Sequence, residues 1–205
     1  MNKKIFFVNK QSMNYCNLNK ENPPCFGGNI SEYFSRETKK PFNAYKNVYL
    51  CIGSDKIVFD CLGPLVGSLL MKNKDFHGFV YGTMNCPVTA LQVDAAIKFI
   101  RRFHFGATVT VVDSAVGKKE DIGKIKYYER GLRPALGMDK QMSIVGDKSV
   151  MGIVATKETV KDIYSSAVKL KDVYAMAEEI AESIFLGTQE RYKEFNDCDY
   201  DIYRN

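Results

Sequence analysis

The fold is decided by the stretch NVYLCIGSDKIVFDCLGPLVGSLL, which spans residues 47–70. It opens on a continuous apolar run, residues 48–53, of the length expected for a strand buried inside a parallel sheet. The following segment has Pro64 where a first helical turn tolerates proline, and four apolar side chains recur at helical spacing: Leu62, Val66, Leu69 and Leu70. The stretch therefore predicts a strand, a loop and a helix.

The same unit recurs further along the chain. Residues 78–83 predict a second strand, Pro87 opens a predicted second helix, and residues 107–113 are the most β-like run of the sequence. Alternating strands and helices of this length predict an α/β fold, in which helices pack on the faces of a parallel sheet. Residues 124–129 and 150–155 are candidate antiparallel strands, so we expect a mixed, mostly parallel sheet.

The chain divides into three predicted segments. Residues 1–45 are rich in Asn and Lys and show little periodicity, so we expect an arm packed on the core. Residues 46–195 are predicted to form a single α/β domain. Its last part carries a helical apolar stripe: Val173, Met176, Ala177, Ile180 and Ile184. Residues 196–205 are predicted to be an acidic tail that frays.

The composition is that of a globular protein. Of the 205 residues, 45% are hydrophobic, which is enough to bury a sizeable core. No apolar run has the length of a secretory or membrane-spanning segment, so we expect a cytoplasmic protein that does not bind a membrane. The net charge of +5 comes from basic residues spread along the chain, so direct binding of nucleic acid is not predicted.

Several common catalytic and cofactor sites are not predicted. The six cysteines show no CxxC spacing, so we expect reduced thiols and no zinc ribbon. His77 and His104 lie outside any HExxH motif, and no serine lies in a GxSxG elbow. A phosphate loop is also excluded, because Val112 stands where its first glycine is required. We expect neither a metal nor a cofactor.

Acidic and polar residues follow the predicted strands, at the edge where ligands bind in open parallel sheets. Two carboxylates placed close together raise the pKa of one member, so that one holds a proton while the other acts as a base toward water. We therefore predict Asp60 and Asp113 as a catalytic pair. Four further residues of the same loops are candidates for substrate binding: Asp55, Asn85, Thr89 and Ser114.

A purely structural role for the two aspartates is the alternative. In that case Asp60 caps the helix that opens at residues 62–63, and Asp113 closes a turn after its strand. Three cysteines near the same edge are more simply interpreted as small buried hydrophobic residues than as metal or redox groups: Cys51, Cys61 and Cys86.

Four motifs within residues 45–185 resemble the YyaC-like sporulation proteins: CIGSDKIVFDCLGPLVG (51–67), YGTMNCPVTALQ (81–92), VVDSAVGKKEDIGKI (111–125) and VGDKSVMGIV (145–154). That family is similar in turn to the germination protease of spore-forming bacteria and, more distantly, to the hydrogenase maturation proteases. The resemblance implies a three-layer α/β/α fold of the phosphorylase/hydrolase-like type.

The resemblance also implies an activity. In the germination protease one aspartate precedes an LGP helix start, another follows a strand within a VDA-like motif, and both are essential for peptide cleavage. The matching positions in this sequence are Asp60 and Asp113. The implied function is a sporulation-associated peptidase in the mother cell or forespore cytoplasm, with small acid-soluble spore proteins as its substrates.

The sequence departs from the YyaC-like pattern at several positions. Thr89 stands in place of a histidine after PV, Ala115 stands in place of a cysteine, and residues 56–59 read KIVF in a loop usually rich in Ser, Thr and Gly. Two other functions remain open. One is a catalytically silent binding or regulatory protein that holds a basic or metal-bearing partner at its acidic edge. The other is a metal-binding protein of the hydrogenase-maturation type.

Overall fold

The computed structural model describes residues 47–134, 144–161 and 168–202, and in the last range it describes side chains as far as residue 189. Within them, strands form one sheet in the order β2-β1-β3-β5-β4. The strands are β1 (Asn47–Cys51), β2 (Phe79–Tyr81), β3 (Thr108–Val116), β4 (Ile125–Tyr128) and β5 (Lys148–Ala155). Only β4 of these strands is antiparallel to its neighbour. The predicted mixed, mostly parallel sheet is confirmed.

Helices cover both faces of this sheet. They are α1 (Leu62–Lys72), α2 (Val93–Phe103), α3 (Lys157–Lys161) and α4 (Leu170–Ile202). Residues of α1 and α4 share one buried core with Tyr49 and Val112. Residues of α2 share a second core with Val48 and Leu50. The three-layer α/β/α fold expected from the sequence is confirmed.

Strand β1 lies inside the sheet, and this position explains its unbroken apolar sequence. Tyr49 and Cys51 belong to the core beneath α1 and α4, whereas Val48 and Leu50 belong to the core beneath α2. Successive side chains of a strand point to opposite faces. A strand covered on both faces therefore needs an apolar residue at every position.

The second helix begins later than the sequence predicted. It starts at Val93 rather than at Pro87, because the intervening residues form a bridge and a turn. Val88 makes a parallel bridge to the chain just after β1, and the Gln92 N–H donates to the Thr89 carbonyl oxygen at 2.8 Å. These contacts fix the backbone before α2 in a non-helical path.

Two strand predictions also require correction. Strand β3 continues past Asp113 to Val116, because pairing with β5 supplies partners for its backbone along that length. Residues 150–155 belong to β5, which is parallel to β3 and antiparallel to β4. The predicted antiparallel strand at residues 124–129 is found as β4.

The outer segments of the predicted domain plan are only partly described. Residues 1–45, the predicted arm, lie outside the described residues. The backbone of α4 remains helical to Ile202, so it continues into the predicted acidic tail, residues 196–205. Among the described helices, none has both the length and the apolar character needed to cross a membrane.

Candidate active site

The loop after β1 folds back on the end of that strand. The Ser54 N–H donates to the carbonyl oxygen of Asp60 at 2.9 Å, and the Gly53 N–H donates to the carbonyl oxygen of Val88 at 3.0 Å. Gly53 has a φ of 145°, and a Cβ there would lie 2.0 Å from the Asp60 carbonyl oxygen. Glycine allows this approach, so the loop holds Asp60 at the carboxyl end of β1.

Helix α1 starts directly after this loop and packs tightly on the sheet. A Cβ at Gly63 would lie 2.1 Å from the carbonyl oxygen of Ile52, so the two backbones are in direct contact. The N-cap residue is Cys61, and its thiol donates to the Val58 carbonyl oxygen at 3.0 Å. Asp60 therefore precedes the cap, and the capping role considered for it is not found.

Asp113 lies within β3, at the level where β1 has ended. Cys51, the last residue of β1, pairs with Val112, and the Ile52 N–H still donates to the Val112 carbonyl oxygen at 2.8 Å. Beyond this point β3 continues alongside β5 only, with Asp113 opposite Met151. The predicted strand end at Asp113 was therefore wrong, and the alternative in which Asp113 closes a turn after its strand is not found. The residue does lie at the edge where β1 stops.

The two aspartates are coupled electrostatically. Asp113 is only 7% exposed, and its pKa is raised to about 8, first by burial and second by the charge of Asp60. The Ser114 N–H donates to Asp113 Oδ1 at 2.8 Å and lowers the pKa in part. The pKa of Asp60 is also raised by burial, while a hydrogen bond from the Ser54 backbone opposes that rise. Burial and the charge of Asp60 therefore both favour the protonated form of Asp113 at neutral pH.

The four predicted substrate-binding residues differ in their exposure and in their position relative to this pair. Ser114 is half-buried and adjacent to Asp113, but its side chain points to the opposite face because successive strand residues alternate. Asp55 and Asn85 are exposed on the loops after β1 and β2. Thr89 uses its N–H and its hydroxyl to donate to Gln92 Oε1, at 3.0 and 3.1 Å. The hydrogen bond from the Gly53 N–H to the Val88 carbonyl oxygen joins the loop after β1 to the loop after β2.

Sequence reasoning missed an ion-paired cluster further along the same edge. Asp121 is buried. Its Oδ1 lies 2.6 Å from Lys124 Nζ, and its Oδ2 lies 3.5 Å from Lys126 Nζ. Lys126 is opposite Met151, which in turn is opposite Asp113. The cluster fixes the loop between β3 and β4 beside the site. The i,i+3 spacing of Asp121 and Lys124 was the available signal.

The cysteines near the site behave as buried hydrophobic residues. Cys51 and Cys61 are buried and form no disulfide, and burial raises the pKa of each thiol, to about 12 for Cys51. Cys86 is free and exposed. Within the described part of the chain, no three His, Cys, Asp or Glu side chains are grouped so that they could hold a metal ion. The metal-binding alternative therefore has no ligand set there.

Residues 19–183 match the family model described as "Protein of unknown function (DUF1256)". The chain belongs to the DUF1256 family. It is 31% identical over 147 residues to the uncharacterized protein YyaC of Bacillus subtilis (strain 168), a match that covers 72% of each protein. The resemblance to YyaC-like proteins that the motifs indicated is confirmed.

A solved structure also resembles this DUF1256 chain. It is the NiFe hydrogenase maturation protease HycI from Thermococcus kodakarensis KOD1, which is 17% identical in sequence. The match covers 68% of this chain and 92% of that chain, with a TM-score of 0.38. Likeness at this level carries no argument about activity, so the chemistry of the DUF1256 site rests on its own residues.

Proposed function

We propose that this DUF1256 protein is a peptidase in which Asp60 and Asp113 share one proton at neutral pH. The observation that carries the proposal is the buried Asp113 carboxyl, whose pKa of about 8 is raised partly by the charge of Asp60. A protonated carboxyl beside an ionised one supplies both the acid and the base that hydrolysis needs. The motif resemblance to the germination protease at the same two positions supports this assignment.

The difference in burial supports one assignment of the roles. Asp60 is the more exposed of the two, and in its ionised form it accepts a proton from the attacking water. The water oxygen bonds to the scissile carbonyl carbon as Asp113 gives its proton to the carbonyl oxygen. When the C–N bond breaks, Asp60 passes its proton to the leaving nitrogen, and Asp113 recovers a proton from the tetrahedral intermediate. Both carboxyls then return to their starting states.

The resemblance also supports a class of substrate. We propose the small acid-soluble spore proteins, with the DUF1256 protein acting during sporulation or germination in the cytoplasm of the mother cell or forespore. Asp55 and Asn85 are exposed on the loops after β1 and β2, and in this proposal they contact the peptide substrate. Thr89 is a further candidate for a hydrogen bond to the same peptide, whereas the Ser114 side chain lies on the other face of β3 from Asp113.

Replacing either aspartate by asparagine is expected to abolish cleavage. Purified small acid-soluble spore proteins are incubated with the wild type, Asp60→Asn and Asp113→Asn, and the products are resolved by mass spectrometry. Each variant loses one partner in proton transfer, so we expect the rate to fall by at least about a hundredfold. Thermal melts establish that both variants are folded.

The matched control for these variants is Asp75→Asn. Asp75 is an exposed aspartate in the loop before β2, at the opposite end of the sheet from the pair, so its variant is expected to cleave like the wild type. Absence of cleavage by the wild type, with residues 1–45 present or removed, would overturn the peptidase proposal. It would favour the silent binding protein.

The rate of cleavage is expected to rise, pass through a maximum and then fall as pH increases. Asp60 must be ionised and Asp113 protonated, so kcat/KM should rise as Asp60 ionises and fall as pH exceeds about 8. Initial rates measured across this range, with circular dichroism recording the fold at each pH, test the assignment. A rate that keeps rising well above pH 8 would exclude Asp113 as the acid.

A further inference from the structure

Helix α2 carries a partly exposed apolar stripe beside the edge strand β2, where the Phe99 and Tyr81 ring centroids lie 5.9 Å apart. Its buried residues are Val93 and Ile100, whereas Ala95, Phe99 and Phe103 are exposed at a spacing of four residues. Phe99 is 47% exposed and Phe103 is 64% exposed, and their ring centroids lie 4.4 Å apart. Residues four apart lie one above the other on a helix, so the three side chains form one continuous stripe.

A charged stripe runs beside the apolar one. Asp94, Lys98 and Arg102 are all exposed, again at a spacing of four residues. The negative charge lies near the start of the helix and the positive charges lie toward its end. When the stripe is turned end for end, Arg102 faces Asp94 at both ends and Lys98 faces its own copy in the middle, so two attractive pairs outnumber one pair of like charges.

We propose that α2 pairs with α2 of a second copy of this chain, antiparallel about a two-fold axis near Phe99. Such an axis places each stripe of one helix beside the same stripe of the other helix, with the two stripes running in opposite directions. Phe103 of one copy then packs over the small Ala95 of the second, and Arg102 of one copy pairs with Asp94 of the second. The two Phe99 rings meet at the axis.

The residues that flank α2 extend the same complementarity. Leu91, just before the helix, is 74% exposed, and Phe105, just after it, is 92% exposed. Antiparallel pairing brings the Phe105 end of each copy to the Leu91 end of the other. Large exposed apolar side chains in one contiguous group mark an interaction site rather than ordinary surface. The self-complementary order of size and charge identifies a second copy as the occupant.

The test is the oligomeric state of the full chain across a dilution series, measured by sedimentation velocity and by light scattering after gel filtration. The wild type is expected to be a dimer that dissociates on dilution. Phe99→Glu places two carboxylates at the axis, so we expect the dimer dissociation constant to rise at least about tenfold. A monomeric wild type would overturn the proposal and leave the face to residues 1–46 or to another protein.

Exchanging the charges of Asp94 and Arg102 distinguishes a variant that loses the interface from one whose helix is damaged. Asp94→Arg and Arg102→Asp alone each place like charges opposite one another and should weaken the dimer. The double variant restores opposite charges across the same axis and should recover the wild-type dissociation constant. A dimer that is unaffected by Phe99→Glu, or single variants that the double variant fails to rescue, would contradict the antiparallel pairing.

Discussion

Asp113→Asn is expected to stabilise the protein at pH 8 while it removes the proposed activity. The buried Asp113 carboxyl has a pKa of about 8, against an ordinary value of 3.8, so the folded chain binds its proton more tightly than the unfolded chain does. Its contribution to the free energy of unfolding is therefore highest at low pH. That contribution falls as pH rises above about 3.8 and levels off above about 8.

The size of the effect follows from the pKa difference. A shift of about four pKa units corresponds to a loss on the order of 5 kcal/mol between low pH and pH 8. Asparagine keeps the shape and cannot ionise, so the variant avoids this loss. Its carbonyl oxygen can still accept the Ser114 N–H.

Urea unfolding of wild type and variant at about pH 5 and pH 8 measures the difference. We expect the gain from Asp113→Asn to be larger at pH 8 by about 3 to 4 kcal/mol. Asp75→Asn, at an exposed position, is the control and should change little at either pH. An equal effect of Asp113→Asn at both pH values would mean that Asp113 is not protonated in the folded chain.

Gly63→Ala is expected to cost about 3 kcal/mol or more in the free energy of unfolding. The added Cβ would lie 2.1 Å from the Ile52 carbonyl oxygen and 2.8 Å from the Ile52 nitrogen. Both are backbone atoms of the segment that follows β1, so neither can move aside as the end of a side chain can. The first turn of α1 must shift, and the loop that holds Asp60 shifts with it.

The matched control is Gly117→Ala, the same substitution at a position where the added Cβ meets a side chain and not the backbone. Its added Cβ would lie 2.8 Å from Cγ2 of Ile153, which is a side-chain atom and not a backbone atom. We expect this variant to lose much less stability in urea unfolding and to melt near the wild-type temperature. If the two alanine variants unfold alike, then close packing of α1 on β1 does not determine the stability of this region.

The order of strands and helices could be predicted because each element carries its own periodicity. The apolar run at residues 48–53 and the spacing within residues 62–70 identify β1 and α1 without reference to the rest of the chain. The start of α2 could not be placed in this way. It depends on the bridge from Val88 to the chain after β1, which is a contact between segments distant in sequence.

The sequence by itself determined the α/β class and the mixed sheet, and it indicated Asp60 and Asp113 as the candidate pair. Those properties follow from local spacing and from the rule that ligands bind where parallel strands end. Only the tertiary structure decided that Asp113 is buried and that the charge of Asp60 raises its pKa. A carboxyl pKa is set by burial and by neighbouring charge, and both arise when β1, β3 and α1 pack together.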